Sequence, residues 1–162
     1  MGPHMGFYHK LLSVFMPVHY TMILSSSEIA RRREDGDLVI EPYHSASQQP
    51  ASYDLRAAGA TVLPCGACTL VPSIERVELP ADLAATLRCR SSLARRGVLI
   101  GGGFVDPGFC GQLTLCLTNM GSESITLAEG DRIVQMVVQE VRNGDRLYRG
   151  RYQDSLGAVH TR

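Results

Sequence analysis

Between Pro42 and Gly130 the chain is interrupted by proline or glycine at short, regular intervals: Pro42, Pro50, Gly59, Pro64, Gly66, Pro72, Pro80, Gly97, Gly101 to Gly103, Pro107, Gly111, Gly121 and Gly130. Most of these intervals are too short for a helix of ordinary length, whereas short strands joined by tight turns fit them. Within one of the longer runs, Leu113, Leu115 and Leu117 alternate with Thr114, Cys116 and Thr118. A period of two puts the leucines in a core and leaves small residues on the other face. The pattern predicts strands over 38–40, 53–57, 69–72, 76–79, 83–90, 97–100, 111–119, 125–127 and 133–141, and hence an all-β barrel or sandwich. Ahead of them, Ser25 offers a hydroxyl N-cap to a short helix that ends near Gly36. The run from Ser91 to Gly97 predicts a single helical turn, since it begins with a serine pair and holds no β-branched residue.

Length and charge set bounds on function. A chain of 162 residues is one domain long, enough to bury a core of its own. Hydrophobic residues at 44% and charged residues at 20% are close to globular averages and suggest neither a disordered chain nor a membrane protein. Sixteen basic residues balance sixteen acidic ones, so the whole molecule has no attractive field for nucleic acid, and any anion it binds is small and met by a local cluster. Five cysteines, at 65, 68, 89, 110 and 116, show no disulfide spacing and point to a reducing cytoplasm. Cys65 and Cys68 form one CxxC without a second pair, which reads as a turn at Pro64-Cys65-Gly66-Ala67 rather than a zinc site. Residues 1–21 open with the look of a tag remnant, Gly2-Pro3-His4-Met5, and lie outside the fold argument; 22–141 form the expected domain and 142–162 a C-terminal arm.

Two motifs carry chemistry. Arg90-Ser91-Ser92-Leu93-Ala94-Arg95-Arg96-Gly97 brings hydroxyls, backbone amides and guanidinium forks together at a strand-to-turn junction, the combination that phosphate oxygens require; a capped turn with solvated arginines is the plainer reading. Gly101-Gly102-Gly103-Phe104-Val105-Asp106-Pro107-Gly108-Phe109 lets backbone approach a flat ligand and supplies a carboxylate directly after it; a flexible hairpin with Asp106 capping the turn is the alternative. The arm holds five arginines and two aspartates and invites an anion or another subunit, unless it is simply solvated.

Taken together with Pro50-Ala51-Ser52-Tyr53-Asp54-Leu55-Arg56, Gln112-Leu113-Thr114-Leu115 and Gly130-Asp131-Arg132-Ile133-Val134-Gln135, these stretches resemble the ordered motifs of the dUTPase and dCTP deaminase superfamily, from Met22 to the C-terminus. Met22-Ile23-Leu24-Ser25 and Arg151-Tyr152-Gln153 with Gly157-Ala158-Val159 are similar to its deaminase branch. The resemblance implies a β-clip or distorted barrel of short strands with one short N-terminal helix. It also implies a homotrimer with active sites between subunits, Mg²⁺ on a triphosphate, and dUTP and dUMP as ligands. By the same resemblance Asp106 is the catalytic base, while Arg90, Ser91, Ser92, Arg95 and Gln135 contact phosphates or nucleotide. Gly102, Gly103 and Phe104 read the base, Phe109 packs on the sugar, and Tyr148, Arg151 and Tyr152 close over the ligand. Asp54 reaches the metal through water.

One position departs from the deaminase pattern. Deaminases of the family resemble Thr-Leu-Glu-Leu where this chain has Thr114-Leu115-Cys116-Leu117, and their glutamate shuttles protons. A thiol with an ordinary pKa near about 8.5 is a poor replacement. The expected reaction is therefore hydrolysis of dUTP to dUMP and pyrophosphate. The alternatives are a dCTP deaminase, a bifunctional enzyme and a catalytically inactive nucleotide-binding regulator.

Overall fold

The computed structural model describes residues 22–161; the proposed tag remnant within 1–21 lies outside the described residues. Helix α1, Ser26–Glu34, starts where the sequence places it, with the Ser25 hydroxyl accepting from the Glu28 amide at 3.3 Å. It buries only Ile29, as its polar sequence requires.

Eleven strands follow among the described residues: β1 Val39–Glu41, β2 Gln48–Gln49, β3 Ser52–Arg56, β4 Thr61–Leu63, β5 Cys68–Glu78, β6 Leu83–Cys89, β7 Val98–Gly101, β8 Phe104–Val105, β9 Cys110–Asn119, β10 Ile125–Leu127 and β11 Arg132–Glu140. A four-residue helix α2, Ser91–Ala94, interrupts them after β6, at the expected helical turn. The strands make one sheet in the order β1-β5-β9-β7, one in the order β2-β3-β11-β6-β8, and a two-stranded pair β10-β4. The fold is all-β, and its open sheets do not close into a barrel.

Three expectations change in detail. The runs 69–72 and 76–79 are one strand, β5, whose register against β9 shifts between Pro72 and Arg76. That shift accompanies an inward Glu75, fully buried, which accepts from the Arg56 amide at 2.9 Å and from Arg56 Nε at 2.6 Å. Strands β2, β4 and β8 were absent from the sequence reading; at two or three residues they display no period, although β1 and β10, no longer than β4, were in it. The solvated-tail reading of the C-terminal arm is corrected, since the arm lies against β9 (below).

Leu115 and Leu117 are fully buried and Leu113 nearly so, in line with the alternation. Opposite them, β11 turns Val134, Met136 and Val138 inward, and β6 contributes Ala85 and Leu87. Consequently Gln112, Thr114 and Cys116 face away from this core, and so does the row Arg88–Gln135–Asp54, which runs in register across β6, β11 and β3. These two outward faces carry many of the candidate site residues.

Candidate functional site

A cavity of about 520 Å³ lies between β6, β8, β9 and the C-terminal arm. Its walls are mainly apolar with a few polar groups, the ordinary composition of a small-molecule site. The glycine hairpin between β7 and β8 forms one wall. Gly103 has φ +103° and its missing side chain admits Leu87, whose Cβ lies 2.9 Å from where a Cβ on Gly103 would sit. The Leu87 amide donates to the Gly103 carbonyl at 2.7 Å. The glycine is therefore needed for packing the hairpin onto β6, and this in turn aims Phe104 and Asp106 at the cavity.

Asp106 follows β8 directly, is exposed, and is the one carboxylate among the described residues that line the cavity. Phe109, nearly buried, stacks obliquely on Tyr148 with ring centroids 5.7 Å apart. Tyr148 is fixed at its backbone by donation to the Pro107 carbonyl at 2.7 Å, and its hydroxyl accepts from the Tyr152 amide at 3.2 Å.

The arm roofs the cavity by pairing with β9 along the stretch that β7 leaves uncovered. The Asp154 amide donates to the Cys110 carbonyl and the Gln112 amide to the Ser155 carbonyl, both at 2.8 Å. Beyond them, Gly157 N donates to Gln112 Oε1 at 2.7 Å and Val159 N to Thr114 Oγ1 at 3.0 Å. Gly111, at φ +146°, makes this approach possible, because a Cβ there would meet the Ser155 amide nitrogen at 2.8 Å. Gln112, Thr114 and Val159 belong to stretches that carry the resemblance but were given no site role, and His160 was not singled out. The alternation that exposed the leucine face already placed Gln112 and Thr114 on the opposite one, while the tail has no apolar period that would place Val159 or His160 against a strand.

Cys116 lines the cavity on the row Gly101–Cys116–Leu70. Burial pushes its thiol pKa up, and the nearby Cys68 adds to this, so it stays a neutral thiol at neutral pH.

The expected site residues separate into two groups. Gly103, Phe104, Asp106, Phe109, Tyr148 and Tyr152 meet at the cavity. Arg90, Ser91, Ser92, Arg95, Gly102, Gln135, Arg151 and Asp54 do not line it. Ser91, Ser92 and Arg95 are exposed around α2, and Gln135 lies on the face of the sheet opposite to Leu87, bonded through Nε2 to Ser52 Oγ at 3.4 Å.

Asp54 sits beside Gln135 but is fully buried. Arg90 Nε lies 3.0 Å and Arg132 Nη1 3.7 Å from Asp54 Oδ2. The Arg90 contact is close enough for an ion pair yet off the N–H line, so neither carboxylate oxygen has a hydrogen bond. Burial raises the Asp54 pKa, against the pull of Arg90 and Arg132. A hydrated dication needs accessible oxygen ligands, and guanidinium groups already paired with the carboxylate oppose a further cation there. These surroundings do not fit Asp54 to Mg²⁺, even through water. Among the described residues no three His, Cys, Asp or Glu side chains are grouped to hold a metal ion.

Comparison with known proteins places this geometry. Residues 57–141 match the family model described as dCTP deaminase-like. The chain is 38% identical over 135 residues to the dCTP deaminase of Thermococcus gammatolerans, covering 74% of this chain and 86% of the relative. It is 35% identical over 184 residues to the "dCTP deaminase, dUMP-forming" of Halobacterium salinarum, covering 87% and 94% respectively. Among solved structures, the 2′-deoxycytidine 5′-triphosphate deaminase of Agrobacterium tumefaciens superposes with a TM-score of 0.65 at 22% identity, over 75% of this chain and 48% of that one. This chain thus spans about half of the Agrobacterium protein. The EIAV dUTPase superposes with a TM-score of 0.56 at 24% identity, over 70% and 92%. The two superpositions speak for a shared fold, and the sequence matches for descent: the chain belongs to the dCTP deaminase-like family.

Proposed function

We propose that this protein hydrolyses dUTP to dUMP and pyrophosphate. The observation that carries the reading is the cavity's carboxylate inventory: Asp106 is its one carboxylate among the described residues, and on β9 Cys116 stands where the deaminase pattern has a glutamate. Asp106 accepts a proton from a water whose oxygen bonds to the α-phosphorus, as the bond to the bridging oxygen of the departing pyrophosphate breaks. Phe109 and Tyr148 hold the sugar against the wall, and the backbone of Gly103 and Phe104 reads the uracil edge, with Gly102 set back from the cavity. Ser91, Ser92, Arg95 and Gln135 serve the phosphates of a cavity in another copy, because they stand clear of their own. A homotrimer with intersubunit sites, the assembly that the resemblance implies, would account for that separation. Mg²⁺ enters this reading only with the triphosphate, and no step is assigned to a resident ion.

A second reading is dCTP deamination, alone or followed by hydrolysis. It is favoured by the names of the relatives, dCTP deaminases at 35–38% identity, one of them dUMP-forming, and on that ground it has the better support from comparison. Against it stands the chemistry of Cys116, since the addition of water and loss of ammonia at the pyrimidine ring need a group that both gives and takes a proton near neutral pH.

One product assay separates the two. Purified protein with Mg²⁺ is given dUTP and dCTP in separate reactions, and dUMP, dUTP, dCMP, pyrophosphate and ammonia are resolved. The hydrolytic reading expects dUMP and pyrophosphate from dUTP, with dCTP untouched. Ammonia from dCTP would replace it with the deaminase reading. The five cysteines, all free, agree with a cytoplasmic protein, and no described helix is long and apolar enough to cross a membrane.

A further inference from the structure

The outward face of the β3-β11-β6 sheet carries a charge arrangement that the cavity does not use. Arg88, Gln135 and Asp54 lie in one register row, with Arg90 and Arg132 close to the Asp54 carboxylate. Arg88 is exposed and Arg90 and Arg132 are partly so, while Asp54 is sealed beneath them. The guanidinium of Arg90 is held at two points: Nε faces Asp54 at 3.0 Å, and Nη1 donates to the Arg132 carbonyl at 3.0 Å. Among the described residues, Nη2 has no hydrogen-bond partner. A guanidinium engaged at both Nε and Nη1 presents its remaining nitrogen, Nη2, in a fixed direction, and a group so fixed loses less entropy on meeting an oxyanion than a free one.

We propose that Asp54 is a positioning residue for an anion site: its sealed carboxylate orients Arg90 so that the free Nη2 of the guanidinium, with Arg132 alongside, receives a phosphate oxygen of a polyphosphate. Asp54 acts as a counter-ion to arginine and does not ligate metal. The face keeps a net positive charge, three arginines against one carboxylate, so the anion site survives the internal pairing. The assignment rests on the reading that a nucleoside triphosphate is the ligand, but its test does not require turnover.

The test measures binding of inorganic tripolyphosphate by titration calorimetry in excess EDTA, for the full chain and for Asp54→Asn, Arg90→Lys and the double variant. Asp54→Asn keeps shape and removes the counter-charge, and is expected to weaken tripolyphosphate by about fivefold or more. Arg90→Lys keeps the charge but cannot be held as a fork, and is expected to weaken binding to a similar extent. The double variant should bind no worse than Arg90→Lys alone, because both changes remove the same orientation. In steady-state turnover of dUTP, the KM of Asp54→Asn should rise while kcat and the half-saturating Mg²⁺ concentration each stay within about twofold.

Unchanged tripolyphosphate affinity in Asp54→Asn, or in Arg90→Lys should the first variant not fold, overturns the proposal. So does a wild-type protein that does not bind tripolyphosphate. A large shift in half-saturating Mg²⁺ with metal-free binding intact would make Asp54 a metal ligand instead. Wild-type protein that binds tripolyphosphate and shows the Asp54 effect, yet leaves dUTP untouched, would sink the hydrolytic reading and leave this inference standing.

Discussion

At Asp106 the expected chemistry depends on one proton. Asp106→Asn keeps the shape of the turn after β8 and removes the base, so dUTP hydrolysis should fall by about 10²-fold or more with nucleotide affinity nearly unchanged. Turnover at the wild-type rate would end the assignment. Cys116 makes the contrasting case: Cys116→Ala should alter dUTP hydrolysis by less than about tenfold, equivalent to ~1.4 kcal/mol of barrier. A greater loss in single-turnover rate would give the thiol a part in the reaction. Asp54 has a pH signature. Burial raises its pKa in the fold, so the folded state binds the proton more tightly than the unfolded chain. Its contribution is therefore most favourable below the ordinary aspartate range and declines as pH rises from that range through the raised value. Asp54→Asn removes the decline, and Arg90 and Arg132 are exposed enough to be solvated. Thermal melts should show the variant gaining on wild type as pH rises, with a Tm at about pH 7 equal to or above that of the parent. A deficit that grows with pH would show the pair to be net stabilising.

The strand β9 links core and site through its alternation. One face buries Leu113, Leu115 and Leu117, and the other presents Gln112, Thr114 and Cys116 to the cavity and arm. Leu117→Ala removes a fully buried side chain and should destabilise by about 2–5 kcal/mol in a denaturant titration. Gly111→Ala acts elsewhere. Its positive φ and the 2.8 Å approach of Ser155 mean that a methyl group strains the backbone by about 1–3 kcal/mol and pushes the arm away. Hydrogen exchange should then speed at the amides of Asp154, Gly157 and Val159, while the β9 amides paired with β5 remain protected. Uniform loss of protection across β9 would mean that Gly111 supports the sheet and not the arm. The strands with a clear period were legible in the sequence, and so was the serine cap of α1. The two-residue and three-residue strands β2, β4 and β8 were not, because their pairing is imposed by neighbours and not by any local preference.

For the whole molecule, the outward position of Ser91, Arg95 and Gln135, away from the cavity that holds Asp106, predicts a shared site. Asp106→Asn and Arg95→Ala subunits, each inactive alone, should recover activity when mixed under exchange conditions. About one quarter of intersubunit sites would then draw both halves from intact faces. Light scattering should report three chains per particle. No recovery in the mixture, with exchange demonstrated, would place both halves in one chain.

The order of motifs and the proline and glycine punctuation determined the all-β class, the core face of β9, the capped helix and the family resemblance, because each of these is written in spacing along the chain. Asp106 and Phe109 were legible for the same reason, as neighbours within one short hairpin motif. Which motifs share a cavity was decided only by the tertiary structure. Asp54 and Arg90 are 36 positions apart and Arg132 a further 42, and sheet order alone brings them to one carboxylate. The sealing of Asp54, which turns a candidate metal contact into an arginine counter-ion, follows from strand pairing across β3, β11 and β6. The seat of the arm likewise depends on a stretch of β9 that β7 is too short to cover, a vacancy created by the assembled sheet and invisible in any segment by itself.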